Sequence, residues 1–188
     1  MALLCALLAW PAASAESARD LYVRGDYAAA MREGEAQNTG AALAEAARAA
    51  IADAQLRDTP CLDCLQRAEN LARRAVALDT NNADALVLFA VSLGLQARVV
   101  GMVRAKLNRY PEQAKDALEN AVRLAPRDGS ALAAMGGWHV EVVRNGGILG
   151  SVLYGAKIET GKKLFQQGIM ADLGNLVLPY QFALSLAG

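Results

Sequence analysis

Residues 114–139 read AKDALENAVRLAPRDGSALAAMGGWH, and the order of residue types in this stretch decides the fold. Ala114, Leu118, Ala121 and Leu124 lie four, three and three positions apart. That spacing lays one apolar stripe along an α-helix. The run Leu124-Ala-Pro126-Arg-Asp128 then breaks the pattern. Proline does not continue a helix interior, and an aspartate is a preferred cap for the next helix. A second stripe follows through Leu132, Met135 and His139, with Gly136 where two helices must cross closely. The stretch reads as helix, turn, helix.

The same order recurs on both sides. Upstream, Ala68, Ala72, Ala75, Leu78 and Asp79 lead to Asn82, then Leu86, Phe89, Ala90 and Leu93. Downstream, Gly161, Phe165, Gly168, Ala171 and Asp172 lead to Asn175, then Pro179, Phe182, Ala183 and Leu186. A partial copy begins with Ala18 and Leu21 and continues through Gly25-Asp26-Tyr27 to Ala30. Asn82 and Asn175, like Asp128, are expected N-caps.

This succession of small, aromatic and turn residues, over about residues 17–188, resembles the tetratricopeptide repeat. The resemblance implies an all-α fold, a right-handed superhelical array of helix-turn-helix units. From Ala30 to Ala68, Ala68 to Ala114 and Ala114 to Gly161 the spacings are 38, 46 and 47 residues. The usual repeat has about 34. The latter two units therefore carry long insertions between their paired helices, at residues 96–113 and 143–160. In such arrays insertions collect on one face, often the binding face. Residues 179–186 read as the first helix of a pair whose second does not follow. A solenoid normally closes on a capping helix, so the expectation is a longer protein lacking here its C-terminal cap.

Composition narrows the function classes. The 188 residues suffice for one domain with a core, and alanine supplies much of the 54% hydrophobic share. Lys+Arg and Asp+Glu both number 19, so bulk charge gives no reason to expect a nucleic-acid partner. Residues 1–15, MALLCALLAWPAASA, carry no charge and end in Ala13-Ser14-Ala15, a small-x-small cleavage pattern. They read as a signal peptide removed before Glu16, leaving residues 16–188 as an exported domain, periplasmic if bacterial. The other reading of the segment is an N-terminal helix buried in the domain. Cys5 lies too near the start for a lipoprotein box. No later apolar run reaches the ~20 residues of a membrane span. The longest, residues 146–156, is short and glycine-rich, so stable membrane insertion is not expected.

Cys61-Leu-Asp-Cys64 follows Thr59-Pro60, an expected N-cap and first helical residue. Thiol oxidoreductases use this spacing, but after a strand, and no strand is visible. Haem attachment needs histidine where Leu65 stands, and His139 is the only histidine for a zinc site. A structural disulfide between Cys61 and Cys64 is the favoured reading, with a redox pair and a metal site as alternatives. No metal or other cofactor is expected.

The candidate binding residues are Trp138, His139, Glu141, Arg144, Leu153 and Tyr154. Trp, His, Glu and Arg within seven positions could line a ligand pocket. The register argues for packing instead: His139 takes the aromatic position of the repeat, and Arg144 can pair with Glu141 one turn away. Residues 146–156, GGILGSVLYGA, either form an exposed apolar patch, which would mark a binding site, or fill space inside the insertion. The insertion at 96–113 sets Arg98, Arg104, Lys106 and Arg109 beside Val99, Val103, Leu107 and Tyr110. It is read as an extension of the preceding helix, apolar side inward. The alternative is a basic amphipathic helix for an acidic partner or lipid surface.

Trp138-His139-x-Glu141, Arg144 with its glycine-rich insertion, Leu153-Tyr154-Gly155-Ala156 and Gly161-x3-Phe165 together resemble two groups of repeat protein. One is the bacterial exported tetratricopeptide proteins associated with tripartite (TRAP-type) transporters. The other, more distant, is the eukaryotic regulators of microtubule dynamics. The first resemblance implies a periplasmic protein that docks a solute-binding protein and holds a hydrophobic ligand. The expected function is an exported adaptor that binds a protein or peptide through its concave face and insertions. The alternative is a carrier of a small apolar or organic-acid ligand near residues 136–156. Catalysis is not expected, since no nucleophile and base can be assembled from the spacing.

Overall fold

A computed structural model describes residues 16–187; the expected signal segment, residues 1–15, lies outside the described residues. The helices are α1 (Ala18–Val23), α2 (Tyr27–Gln37), α3 (Gly40–Gln55), α4 (Leu62–Leu78), α5 (Ala83–Val100), α6 (Met102–Leu107), α7 (Tyr110–Leu124), α8 (Gly129–Tyr154), α9 (Ile158–Ala171) and α10 (Val177–Ala187). No strand occurs among the described residues, as an all-α fold requires.

Packing is most extensive between α8 and α9, then α3 and α4, then α2 and α3, then α5 and α7. Three of these, α3/α4, α5/α7 and α8/α9, follow one another as helical pairs. The first of them is preceded by the shorter α1 and α2, and α6 lies inside the second. Helix α10 packs on α8 and α9 as an opening helix would, with Tyr180, Leu184 and Leu186 exposed.

The helix starts follow from capping chemistry. Asp26, Thr39, Asn82 and Asp128 each accept, through a side-chain oxygen, the backbone N–H three residues on. Each satisfies a donor that would otherwise lack an intrahelical partner. Two starts differ from expectation. Helix α4 begins at Leu62, not at Pro60: Cys61 is its N-cap, in extended backbone, with Sγ accepting the Cys64 N–H at 3.2 Å. Asn175 acts one position outside its helix, accepting the Val177 N–H at 3.2 Å.

The core is built from small side chains. Helix α3 buries Ala42, Ala44, Ala46, Ala47, Ala49 and Ala50, while Leu43, Leu71 and Leu93 are the large anchors. Alanine lets helices approach closely at little entropic cost. One cluster joins α2 to α5 and a second joins α5 to α8, so α5 belongs to both. That position corrects one expectation. Helix α5 is long and apolar enough, by length and composition, to cross a membrane. Its packing against α3, α4, α7 and α8 makes it the central core helix.

The insertions differ most from expectation. Helix α5 does run to Val100, but Gly101 at φ +80° turns the chain and α6 forms as a separate helix. Of its six residues only Ala105 is buried; Met102, Val103 and Leu107 are exposed. Six residues are under two turns, too few to seat a continuous stripe on the core. In α8 the helix bends at Gly147, whose φ of 57° and ψ of −142° lie outside the helical region. The piece beyond it folds back so that Gly150 rests against the Val142 carbonyl.

Candidate functional site

The opening helices α3, α5, α8 and α10 line one open groove of about 1130 Å³. Its walls are mostly apolar, including Val91, Leu95, Ala133 and Leu178. The two insertions form its edges: Met102, Val103 and Leu107 on α6, Leu149 and Leu153 on the end of α8. Val103, Leu107 and Leu149 are 73%, 76% and 72% exposed, so the open reading of residues 146–156 holds. Ile148 and Val152 are exposed as well. Water-facing aliphatic side chains gathered at one concavity mark an interaction surface.

Polar contacts fix the shape of the wall. Gln96 is fully buried; its Nε2 donates to Glu69 Oε2 at 2.7 Å and its Oε1 accepts the Tyr110 hydroxyl at 3.1 Å. Each buried amide group thus keeps a partner, as burial requires. This chain ties α4, α5 and the start of α7 together. Across the groove, Arg98 of α5 pairs with Glu141 of α8 at 2.9 Å.

The candidate residues divide. Trp138, Glu141, Leu153 and Tyr154 line the groove; His139 and Arg144 do not. Trp138 is only 7% exposed, and its Nε1 donates to the Pro111 carbonyl at 2.9 Å. Its ring meets that of His139 edge-on, with centroids 5.0 Å apart, and Lys115 Nζ stands 5.6 Å from its centre. Glu141 also faces Arg144 at 3.7 Å, the pairing expected from their spacing, while Arg144 donates to the Ser185 carbonyl at 3.3 Å. Tyr154 is half-buried; burial, and secondarily Glu112, push its hydroxyl pKa up. Its carbonyl accepts from Lys115 Nζ at 3.1 Å, which holds the end of α8 to α7.

His139 is a packed residue. It is buried, and its Nδ1 accepts the Lys157 N–H at 3.2 Å, joining α8 to the start of α9. Burial first, and then the Lys115 charge, lower its pKa from 6.5. The unfolded chain therefore takes up the proton at higher pH than the folded one. Stability contributed by neutral His139 is complete above about pH 6.5 and declines as the pH falls below it. Thermal melts between pH 8 and 5 are expected to show this loss, and His139→Gln to flatten it. An unchanged slope in the variant would assign the pH dependence to other groups.

Cys61 and Cys64 are joined as a disulfide, with Cα atoms 5.3 Å apart. Neither cysteine lines the groove. Among the described residues no three His, Cys, Asp or Glu side chains gather to hold a metal. The groove's chemistry is the burial of apolar ligand surface, oriented by a few charges at the edge.

The sequence places Leu149 in the apolar run 146–156 and names Val103 and Leu107 only in the alternative reading of the 96–113 insertion, while Met102 goes unnamed. The available signal was a charged insertion whose apolar residues, Val103 and Leu107, sit one helical turn apart after a glycine break.

Compared with known families, residues 20–148 match the profile described as regulator of microtubule dynamics protein 1-3. The chain belongs to that family. The matched span runs from α1 through the bend of α8. Among solved structures, the crystal structure of MamA superposes with a TM-score of 0.52. The superposition covers 92% of this chain and 84% of that one, at 15% identity, which is a likeness of fold. No curated protein matches the chain by sequence. With the helical pairs above, these findings establish a tetratricopeptide-like helical repeat protein.

Proposed function

We propose that the protein is an exported adaptor that binds a protein or peptide in the groove formed by α3, α5, α8 and α10. One observation carries the reading: two separate insertions place unpartnered aliphatic side chains at the edges of a single open, apolar groove. Helical repeats use such extended concave surfaces for recognition. Membership of a family named for regulators of a protein polymer fits a macromolecular partner. Export is supported by the character of residues 1–15 and by the Cys61–Cys64 disulfide, which suits an oxidising compartment. A periplasmic partner of the solute-binding, transporter-associated kind is the specific candidate that the sequence resemblance supplies. The protein acts by binding, and insulin reduction by the Cys61–Cys64 pair is expected at background rate.

The test is native purification of the full chain beside Leu149→Asp, with mass spectrometry of proteins and extractable small molecules. A stoichiometric protein retained by the parent and lost from the variant is the expected result. The groove's apolar walls also fit a carrier of an apolar ligand. A small molecule retained without any protein would favour that reading and overturn the adaptor.

A further inference from the structure

Charge around the groove is uneven: of the insertions' cations Arg98 and Lys106 line it, and Arg104 and Arg109 lie beside Lys106 on or next to α6. The chain as a whole is neutral. Residues 85–111 nevertheless hold Arg98, Arg104, Lys106 and Arg109 without one carboxylate, and residues 142–158 hold Arg144 and Lys157, again without one. Over their full extents each insertion also holds one carboxylate, Glu112 in 96–113 and Glu159 in 143–160, so both are net cationic. Arg98 and Arg144 are engaged by Glu141. Arg104, Lys106 and Arg109 are exposed and form no ion pair among the described residues.

The apolar side chains have a matching geometry. Val103 and Leu107 form an i, i+4 stripe on α6; Leu149 and Leu153 form another on the end of α8. Both stripes line the same groove, below which lie Val91, Leu95 and Trp138. Two short helices that present unfilled stripes to one concavity offer the ridges and grooves that a third helix packs against. A bilayer is planar over this distance and cannot follow side chains into a concavity walled by four helices.

We propose that the groove receives an amphipathic helix whose apolar stripe packs between α6 and the end of α8 and whose flanks carry Asp and Glu against Lys106, which lines the groove, and against the neighbouring Arg104 and Arg109. The proposal deepens, and rests on, the adaptor reading above. Charge complementarity at the edge sets orientation and partner choice, and the apolar stripe supplies most of the affinity.

The probe is a fluorescent 18-residue peptide with leucine at heptad a and d positions, glutamate at e and g, and alanine elsewhere to favour the helix. Its counterpart carries lysine in place of glutamate, and vesicles of phosphatidylcholine with phosphatidylglycerol are tested in parallel. The glutamate peptide is expected to bind the full chain at least tenfold more tightly than the lysine peptide. Its affinity should fall on raising salt, since exposed charges are screened. The triple variant R104E/K106E/R109E is expected to reverse the preference between the peptides. All three side chains are exposed, so its circular dichroism should match the parent. Leu107→Ser is expected to weaken the glutamate peptide severalfold without that reversal.

Equal binding of the two peptides, an unmoved preference in the triple variant, or binding to vesicles alone would each overturn the proposal. The adaptor reading fails separately. If neither peptide binds but Leu149→Asp still releases a co-purifying protein, only the acidic-helix partner is wrong. If neither peptide binds and nothing is released, both readings fall.

Discussion

Gly136→Val is expected to destabilise the protein by about 3 kcal/mol, lowering the melting temperature by roughly 6–12 °C. A Cβ built on Gly136 would stand 2.7 Å from the Gly161 carbonyl oxygen and 3.0 Å from both the backbone nitrogen and a ring carbon of Phe165. One turn pair away the contact repeats: a Cβ on Gly168 would lie 2.6 Å from the Gly129 carbonyl oxygen. Helices α8 and α9 thus approach backbone to backbone at two levels. Most of the obstructing atoms belong to main chain, which cannot rotate aside, so the helices must separate and Phe165 must lose packing. Gly94, in the middle of α5, has nothing within 4 Å of its would-be Cβ. Gly94→Ala is therefore expected to stabilise by about 0.5–1 kcal/mol through helix propensity alone. Opposite signs in the two melts would establish the close approach. A Gly136→Val protein that melts with the parent would mean α8 and α9 do not touch there.

That approach was half legible in the sequence. Gly136 and Gly161 occupy positions where the repeat demands a small residue, and the register supplies them without any coordinates. The register also located α4, α5, α7 and α9, and the caps at Asn82 and Asp128. What it could not supply is the course of the insertions. Whether Val103 and Leu107 face the core depends on where Gly101 sends the chain, and a positive φ at one glycine reverses the answer. The groove's walls were illegible for another reason. Val91 and Leu95 look in sequence like any core residues, because their partial exposure is decided by which neighbouring helix is absent, not by their own period.

Trp138→Ala is expected to cost about 3–5 kcal/mol, the range for removing a large buried aromatic. Trp138 belongs to the second core cluster and holds α8 to the α6–α7 junction through Pro111. Truncation leaves a cavity in the cluster that holds Leu118 and Ala114 and removes the hydrogen bond to the Pro111 carbonyl. Trp138→Phe keeps most of the apolar surface and removes only the donor, so about 1 kcal/mol is expected. Denaturant melts of the two variants separate packing from hydrogen bonding. Binding of the glutamate peptide separates structure from recognition. Because Trp138 is only 7% exposed, Trp138→Phe should bind as the parent does, while Leu149→Asp should bind poorly at unchanged stability. The reverse pattern, a stable Trp138→Ala protein that no longer binds, would move the recognition surface from the insertions to the floor of the groove. The tryptophan would then be a contact residue rather than the side chain that holds the insertion in place.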